Sequence, residues 1–536
     1  MSKTEQPLRL VFATQSTGVN LFWRLYRALE EAGGLGRCGF LVTNRHEFSQ
    51  FERAEPGFSG ADLDVLQEWD LLDRAATVAL PDLVSIGEWE RQLGDASLWN
   101  ALLVDRRMGF PLKAQFRQCY EAAYDHDTLL KILQVALQEI AAQLDRVRPH
   151  AVLGLNAVTL YDYLYYLMAR QRGIPYMQLK LTRVHNYVSW FTDPFELSPH
   201  IVEVFRRYLD APGGDVRDSA AQEEARAFLA AAKGEHLVYE GAINRPGAKP
   251  VKRAAEQSRL ERARAWASRF AQAMCVHDRH YPTLAYSLFE VRVVKPLRRR
   301  LQRFRFDIED VKAFTTEHAG HYAIYPLNTE PEVALLAFGR PYRNQIETVR
   351  NLAAALPVGW KLVVKEHPNA YGYRSTAYYR KLKQIPNVLL AGPKGDTGKL
   401  TEHSGLVALV YGTIGLEAIF KQKPLLIFCE VPYGVFPTSM VRMNEQPWRL
   451  GHDICRLLDD YRYDETQVLA YVAAHIRSSI RVNLFTGLLA KSGRQSGESG
   501  KSLTEQYADL AEYTRQRLRE EVARLAHSGG SGNAQG

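Results

Sequence analysis

The chain has 536 residues, of which 46% are hydrophobic and 24% charged, and its formal net charge is +8. This length indicates two large lobes rather than one core, and the composition is that of a globular rather than a disordered protein. The five cysteines are scattered without a Cys-x-x-Cys pair, so they indicate neither a zinc knuckle nor a disulfide framework. The N-terminus lacks an apolar signal core, and no apolar run is long enough to span a bilayer, so we expect a cytoplasmic protein.

The first part of the chain alternates strand and helix patterns. An apolar run over residues 8–15, an amphipathic stretch over 19–33 and a second apolar run over 38–44 predict a βαβ unit. Helical periodicity covers 128–147, and a further strand–helix–strand pattern covers 151–181. Together these patterns predict a Rossmann-like N-terminal lobe over residues 1–195.

The composition and periodicity of the chain change after residue 195 and again after residue 320. Residues 196–320 are rich in Ala and Arg with helical periodicity, which predicts a helical insertion or linker. The alternation of strands and helices resumes over 321–455 and predicts a second Rossmann-like lobe. Residues 456–526 predict helices that pack back on the lobes, and the composition of 527–536 predicts a disordered tail. The predicted fold class is therefore α/β, with two Rossmann-like lobes, a helical insertion and a C-terminal helical tail.

The first candidate binding motif is Lys365-Glu366-His367-Pro368, which follows the apolar strand pattern KLVV in the second lobe. Open parallel sheets bind ligands at the carboxyl ends of their strands. There a lysine and an imidazole can neutralise or hydrogen-bond a phosphate, and Pro368 restricts the turn that carries His367. The alternative is an ordinary turn at the end of a strand with a surface lysine.

A second motif lies between a predicted strand and a predicted helix and contains Gly412, Thr413, Gly415 and Glu417. The glycines allow close approach of a ligand to the backbone, Thr413 offers a hydroxyl beside free N–H groups, and Glu417 can reach a ribose hydroxyl. The alternative is a helix cap. Because the pattern is neither a Walker loop nor G-x-G-x-x-G, it favours a sugar-nucleotide enzyme over a kinase or a dehydrogenase.

Acidic side chains follow the first strand of the second lobe. Glu330 suits proton transfer or ribose binding, whereas Glu332 equally suits a first-turn helix charge behind Pro331. We favour Glu330 as the catalytic group. Asn328 in the same loop is a further candidate for contact with a bound nucleotide.

The first lobe offers the group Asp105-Arg106-Arg107. A carboxylate between arginines should stay ionised and could act as base or nucleophile, while Arg106 and Arg107 hold an anionic sugar. A surface salt bridge is the alternative. Arg183, with its neighbours His185 and Asn186, could face the same cleft, or could belong to a loop that closes the lobe.

Two acidic patterns, Asp62-Leu63-Asp64 and Asp125-His126-Asp127, resemble a metal-binding D-x-D, but no buried strand pattern precedes either. We interpret these residues as carboxylates at helix starts and predict no metal. The basic segment between Lys295 and Arg305 is most simply a solvated helix face. Contact with an anionic inner membrane or a polyanionic acceptor is the alternative; nucleic acid is not expected, because no pattern of a nucleic-acid-binding family is present.

Several motifs together resemble those of the bacterial capsule and surface-polysaccharide biosynthesis family. The resemblance covers about 310–440 and is carried by YPLNTEPE at 325–332, KLVVKEHP at 361–368, YGTIGLEA at 411–418 and the shorter matches at 356–357, 386–388 and 423–425. The family includes Kdo transferases that use CMP-Kdo and have the two-lobed GT-B fold. The N-terminal lobe lacks the acidic-glycine signature of some of these transferases, which leaves the donor sugar open.

The resemblance implies a glycosyltransferase that moves a sugar from a nucleotide donor, with a CMP-linked donor favoured, to a glycan or lipid-linked acceptor. It places Lys365, His367 and Pro368 at the donor phosphate, and Thr413 and Glu417 near phosphate or ribose. The first lobe would then receive the acceptor. A UDP-sugar 2-epimerase of the same architecture and a non-catalytic scaffold of capsule assembly are the alternative functions.

Overall fold

The computed structural model describes residues 7–95, 97–109, 123–210, 216–234, 237, 239–242, 264, 267, 289–491, 493–497 and 500–531. The strands are β1 (Leu10–Ala13), β2 (Cys38–Val42), β3 (Leu63–Gln67), β4 (Ala151–Gly154), β5 (Tyr176–Leu181), β6 (Tyr187–Phe191), β7 (Tyr322–Pro326), β8 (Lys361–Lys365), β9 (Val388–Ala391), β10 (Leu406–Leu409), β11 (Leu425–Ile427), β12 (Val441–Met443) and β13 (Ile480–Arg481).

The α-helices are α1 (Gly18–Glu31), α2 (Arg45–Ala54), α3 (Glu68–Thr77), α4 (Leu83–Leu93), α5 (Trp99–Val104), α6 (Arg106–Gly109), α7 (His126–Val147), α8 (Leu160–Gln171), α9 (Pro199–Asp210), α10 (Val216–Gly234), α11 (Lys295–Gln302), α12 (Val311–His318), α13 (Gln345–Ala355), α14 (Thr376–Lys383), α15 (Thr397–His403), α16 (Ile414–Phe420), α17 (Leu450–Asp460), α18 (Glu465–Arg477) and α19 (Leu503–Ser531). Short π-helical or 3-10 turns cover Glu290–Val294, Arg303–Arg305, Ala334–Phe338, Arg340–Tyr342, Pro432–Val435, Pro447–Arg449 and Leu484–Leu488.

The strands form two sheets, one in each lobe. The first sheet has the order β13-β6-β5-β4-β1-β2-β3, and the second has the order β12-β11-β10-β7-β8-β9. All neighbours in the second sheet are parallel, and its order is that of a six-stranded Rossmann sheet. In the first sheet β1 to β5 are parallel, β6 is antiparallel to β5, and the edge strand β13 is antiparallel to β6. The prediction of a GT-B-like α/β fold with two Rossmann-like lobes is therefore confirmed.

Every strand predicted from an apolar run is present, but β3, β6, β12 and β13 were not predicted. The error at β3 concerns Asp64, which lies in this strand and not at the start of a helix. Its carboxylate is buried and accepts hydrogen bonds from Arg146 Nε at 2.7 Å and Nη2 at 2.9 Å. An acidic residue on the buried face interrupts the apolar alternation that marks a strand. The second acidic pattern is confirmed as a helix start, since Asp125 caps α7 by accepting from Thr128 N at 2.8 Å.

Helices connect the lobes along one side. Apolar residues at helical spacing bury one face of α9, and Phe205 on that face contacts Phe436 of the second lobe, with ring centroids 6.4 Å apart. On α10, Phe228 lies edge-on to Phe420 of α16 at 5.9 Å. Both helices pack against α18. Within the predicted insertion, residues 243–263, 265–266 and 268–288 lie outside the described residues.

The C-terminal segment returns to the first lobe. Helix α17 spans the predicted end of the second lobe and packs on α13, whereas β13 extends the first sheet. Helix α19 then packs on α1, and Thr514 Oγ1 accepts a hydrogen bond from the buried Trp190 Nε1 at 3.0 Å. This helix continues to Ser531, beyond the predicted start of the tail. In the described part of the chain, no helix is long and apolar enough to cross a membrane.

Packing of α19 on the first lobe should contribute strongly to stability. Leu510 on this helix is fully buried, so Leu510→Ala should lower the free energy of unfolding by about 2–5 kcal/mol through lost burial and a cavity. Urea denaturation followed by circular dichroism measures the change. Val522→Ala is the matched control, since Val522 is 40% exposed on the same helix and should shift stability by less than about 0.5 kcal/mol. Equal effects of the two substitutions would contradict this packing.

Candidate active site

Three loops of the second lobe meet at the carboxyl edge of its sheet. The central strand β7 lies between β8 and β10, so the loop that follows it separates the two sequence motifs. Asn328 in this loop donates from Nδ2 to Tyr411 O at 2.7 Å, on the β10 side. On the β8 side, Thr329 Oγ1 lies 3.3 Å from His367 Nδ1. Both predicted motifs therefore belong to one edge, where Rossmann-like sheets bind nucleotides.

The imidazole of His367 has a defined tautomer. The backbone N–H of Asn369 donates to His367 Nδ1 at 3.2 Å, so the ring proton is assigned to Nε2. Burial lowers the pKa of His367; Glu366 opposes this shift, while Arg374 and Lys365 add to it. The ring is therefore a neutral hydrogen-bond donor near neutral pH, and it is only partly buried.

A buried charge cluster lies beneath this loop. Arg374 is 1% exposed and donates from Nε to both carboxylate oxygens of Glu366, at 3.3 and 3.1 Å. Its Nη1 lies 3.3 Å from Glu330 Oε1. Glu366 also accepts from the backbone N–H of His367 at 2.7 Å and from Tyr379 Oη at 2.5 Å. The cluster ties the His367 loop to the loop after β7.

This cluster changes the assignments of Glu330 and Glu366. Glu330 is 8% exposed and accepts from Gln345 and Tyr378, and burial raises its pKa against the opposing charge of Arg374. Glu366 is 1% exposed. Neither carboxylate is directed toward the open strand edge, because both point into the protein and are hydrogen-bonded there. Their role in this geometry is to position the loops, not to act as a catalytic group or a ligand contact.

Other predicted residues of the second lobe divide between support and surface. Lys365 is buried and donates from Nζ to Glu366 O at 3.1 Å, and Asn328 is fixed by its bonds to Gln345 and Tyr411. Pro368 is exposed beside His367. These contacts make Lys365 and Asn328 part of the framework that holds the edge.

The second motif combines packing with an open edge. A Cβ on Gly415 would lie 2.5 Å from Tyr433 Oη, so this glycine serves the packing of Tyr433, which donates to Gly412 O at 2.7 Å. A Cβ on Gly412 would meet nothing within 4 Å. Thr413 precedes α16 without capping it through its side chain, and Glu417 is buried in the first turn. The backbone at Gly412 and the Thr413 hydroxyl are therefore the accessible parts of this motif.

The segment 239–242 brings the first lobe to Thr413. Tyr239 Oη lies 3.4 Å from Thr413 Oγ1, and the guanidinium of Arg183 lies 4.9 Å from the Tyr239 ring centroid. Arg183 and His185 both have left-handed backbone conformations, with φ of 68° and 45°. Such conformations cost about 1–3 kcal/mol each in non-glycine residues and cluster at functional sites. The sequence offered no periodic signal for Tyr239.

The basic group of the first lobe is partly structural. Asp105 is 1% exposed; its Oδ1 accepts from Arg107 N and Nε, both at 2.9 Å, and its Oδ2 accepts from Leu160 N at 3.2 Å. Arg107 also bridges to Glu68 at 2.6 Å. A carboxylate held in this way cannot reach an acceptor, so Asp105 and Arg107 form a buried ion pair and not a base with a sugar-binding arginine.

Arg106 instead faces the second lobe. Burial raises the pKa of Glu332, and the positive charges of Arg106 and Arg494 oppose this rise. Glu332 itself is solvent-exposed, and the charges of these two arginines act on it. Arg494 comes from the C-terminal segment, where it donates to Gly241 O at 3.0 Å. The first lobe, the C-terminal segment and the second lobe thus all contribute charges to one cleft.

The first lobe also contains a buried acid that the sequence reasoning missed. Asp162 accepts from Thr159 Oγ1 at 2.6 Å and from Gln15 of the loop after β1. Burial raises the pKa of Asp162 to about 8. The acid is therefore mostly protonated at neutral pH, and it joins the ends of β1 and β4. Among the described residues, no group of three His, Cys, Asp or Glu side chains could hold a metal ion.

The candidate site lies in a region that matches a known protein family. Residues 240–437, which include both motifs, match the family of capsule polysaccharide biosynthesis proteins. The predicted resemblance of this region to the capsule polysaccharide biosynthesis family is therefore confirmed. No curated protein sequence matches the chain.

Solved structures show distant likeness only. The KpsC β-Kdo 2,4-transferase of Thermosulfurimonas dismutans aligns with 12% identity over 64% of this chain and 87% of its own, at a TM-score of 0.31. The β-Kdo 2,7-transferase of the same organism aligns with 10% identity over 70% and 89%, at 0.32. UDP-GlcNAc 2-epimerase of Neisseria meningitidis aligns with 10% identity over 87% and 98%, at 0.23. These scores support no inference about activity.

The buried cluster under His367 should be essential for folding stability. Arg374→Leu would leave the carboxylates of Glu366 and Glu330 without their cation, and we expect a loss of about 3–5 kcal/mol in the free energy of unfolding. Urea denaturation provides the measurement. The control is Arg380→Leu on the exposed face of α14, for which a change under about 0.5 kcal/mol is expected. A mild effect at Arg374 would rule out the cluster as the support of the loop.

The partly buried imidazole of His367 should have a lowered pKa. In the ligand-free protein, His367 should have a pKa below the ordinary value of about 6.5, because burial disfavours the imidazolium. Histidine-labelled protein can be titrated by NMR, with the signal assigned by its disappearance in His367→Gln. A midpoint at or above the ordinary value would show that the ring is solvated or paired with a carboxylate.

Proposed function

We propose that this chain is a glycosyltransferase of capsule or surface-polysaccharide synthesis. In this proposal, a nucleotide sugar binds at the carboxyl edge of the second sheet, and a glycan or glycolipid acceptor enters between the lobes. The observation that carries the proposal is the meeting of the Thr329, His367 and Gly412-Thr413 loops at one edge, within the region of the capsule polysaccharide family.

The donor phosphate would be held by neutral hydrogen-bond donors above the buried charge cluster. His367 Nε2–H and the Thr413 hydroxyl are hydrogen-bond donors at the edge, whereas the buried Thr329 hydroxyl faces His367 Nδ1 and supports the ring from behind. When the glycosidic bond breaks, negative charge grows on the departing phosphate. A fixed donor that faces this charge typically contributes about 10²–10³ in turnover. This step requires no proton from a charged histidine.

The cleft charges favour an anionic sugar. Arg106, Arg183 and Arg494 lie on the side of the cleft that faces the second lobe. A sugar that carries a carboxylate, such as Kdo in a CMP-linked donor, suits this charge. We assign to Glu332 the role of taking the proton from the acceptor, because it is the exposed carboxylate near these arginines. Glu330 and Asp105 are instead engaged in the interior.

Nucleotide recognition should be measured first. In a thermal-shift panel, one of CMP, UDP or GDP should raise the melting temperature, with CMP expected, because a ligand that binds only the native state stabilises it. Substitution of the donor side chain in His367→Ala should reduce turnover about 10²–10³-fold with the fold intact. His452→Ala, an exposed histidine on α17, should have no effect.

The outcomes separate the candidate functions. A transferase releases nucleotide faster when an acceptor glycan is present, whereas an epimerase converts the nucleotide sugar without any acceptor. Binding of no nucleotide would support a non-catalytic scaffold. Normal turnover in His367→Ala would remove this histidine from the proposed chemistry.

A further inference from the structure

An exposed apolar stripe lies on the segment that precedes and forms α11. Phe289, Val293, Leu297 and Leu301 follow one another at intervals of four residues, so they share one face of the helical segment. Their exposed fractions are 55%, 50%, 57% and 65%, and the neighbouring Val291 is 45% exposed. Four large apolar side chains on one face form a contiguous exposed patch, whereas an ordinary surface helix exposes such side chains singly.

The same segment is strongly basic. Residues 289–305 contain seven Lys and Arg residues and one acidic residue, Glu290. Four arginines are exposed beside the stripe: Arg292, Arg300, Arg303 and Arg305. A helix with an apolar face bordered by cations has the chemistry of an element that lies in the headgroup region of an anionic bilayer.

The opposite face of α11 is occupied by the second lobe. Arg299 Nε donates to Tyr371 O at 2.9 Å, Gln302 Nε2 donates to Arg374 O at 2.7 Å, and Lys295 Nζ lies 3.6 Å from the Tyr373 ring centroid. The helix is therefore held in place by its inner face, and the stripe is not a surface that the helix could turn inward. The backbone that it holds carries Arg374, the centre of the cluster under His367.

We propose that the segment 289–305 is a membrane-docking element that seats the protein on an anionic lipid surface. The apolar stripe enters the headgroup region, while the flanking arginines contact lipid phosphates. Since α11 packs directly on residues 369–374, docking would hold the edge that carries His367 about one helix diameter, roughly 10 Å, from the bilayer. A lipid-linked acceptor could then reach the cleft without leaving the membrane.

Vesicle sedimentation tests the proposal with the purified full chain. The wild-type protein should sediment with vesicles of 30% phosphatidylglycerol in phosphatidylcholine, and not with pure phosphatidylcholine. Binding should weaken as salt rises from about 0.1 to 0.5 M, because salt screens the arginines. Leu297→Ser with Leu301→Ser should reduce the partition coefficient at least about tenfold, since two apolar side chains no longer enter the interface.

Matched variants distinguish binding through the stripe from nonspecific adsorption to the vesicles. Val358→Ser with Trp448→Ser removes two apolar side chains that are 105% and 80% exposed elsewhere on the second lobe, and should leave binding unchanged. Arg300→Glu with Arg305→Glu should abolish the preference for anionic lipid. Circular dichroism melts of each variant establish that the fold is retained.

Two results would overturn the proposal. One is a wild-type protein that stays in solution with anionic vesicles, which would leave the stripe as a contact for another protein. The other is a stripe variant that binds as well as the wild type. Neither result bears on nucleotide binding, so the docking proposal and the proposed transferase activity can fail independently.

Discussion

The contact of Arg374 with Glu366 and Glu330 is the interaction on which the candidate site depends. A guanidinium that is 1% exposed is costly to bury unless carboxylates accompany it, and here two do so, with Lys365 as a second buried cation. The group as a whole is balanced in charge. Its hydrogen bonds reach the loop after β7, the loop after β8 and the start of α14, so it ties these three segments together.

This arrangement separates positioning from binding within a single motif. In Lys365-Glu366-His367-Pro368, the first two side chains point into the protein, and only the last two are at the surface. Successive side chains leave an extended backbone on opposite faces, but the end of β8 is covered on both faces, so Lys365 and Glu366 are both buried. The proposed chemistry rests on His367, whose tautomer is set by the N–H of Asn369 and whose surroundings lower its pKa. A neutral imidazole can donate to a phosphate over a wide pH range.

Much of the fold could be predicted from the sequence, because buried parallel strands produce uninterrupted apolar runs such as those of β1, β4 and β8. The unpredicted strands lack this signal: β3 carries Asp64 on its buried face, and β13 has only two residues. For the site, the two motifs that the sequence singled out lie at one edge of the second sheet. It could not show that Glu330 and Asp105 are enclosed by partners distant in sequence, since Arg374 and Leu160 carry no periodic mark.

The cleft depends on contacts that no single lobe could supply. Phe195 of the first lobe packs edge-on against Phe338 at 5.7 Å, and Phe338 stacks on Tyr411 at 4.3 Å, directly before Gly412. Nearby, Arg340 donates to Tyr163 Oη at 2.6 Å. Because these contacts hold the loop after β7 against the first lobe, Glu332 is placed near Arg106. Arg494 reaches this cleft from the segment between β13 and α19. Because β13 and α19 pack on the first lobe, they help to place Arg494 as well as to stabilise the fold. The spacing between the donor edge and the arginines is thus set by packing between lobes, and a substitution at Phe338 would alter the cleft without touching any charged residue.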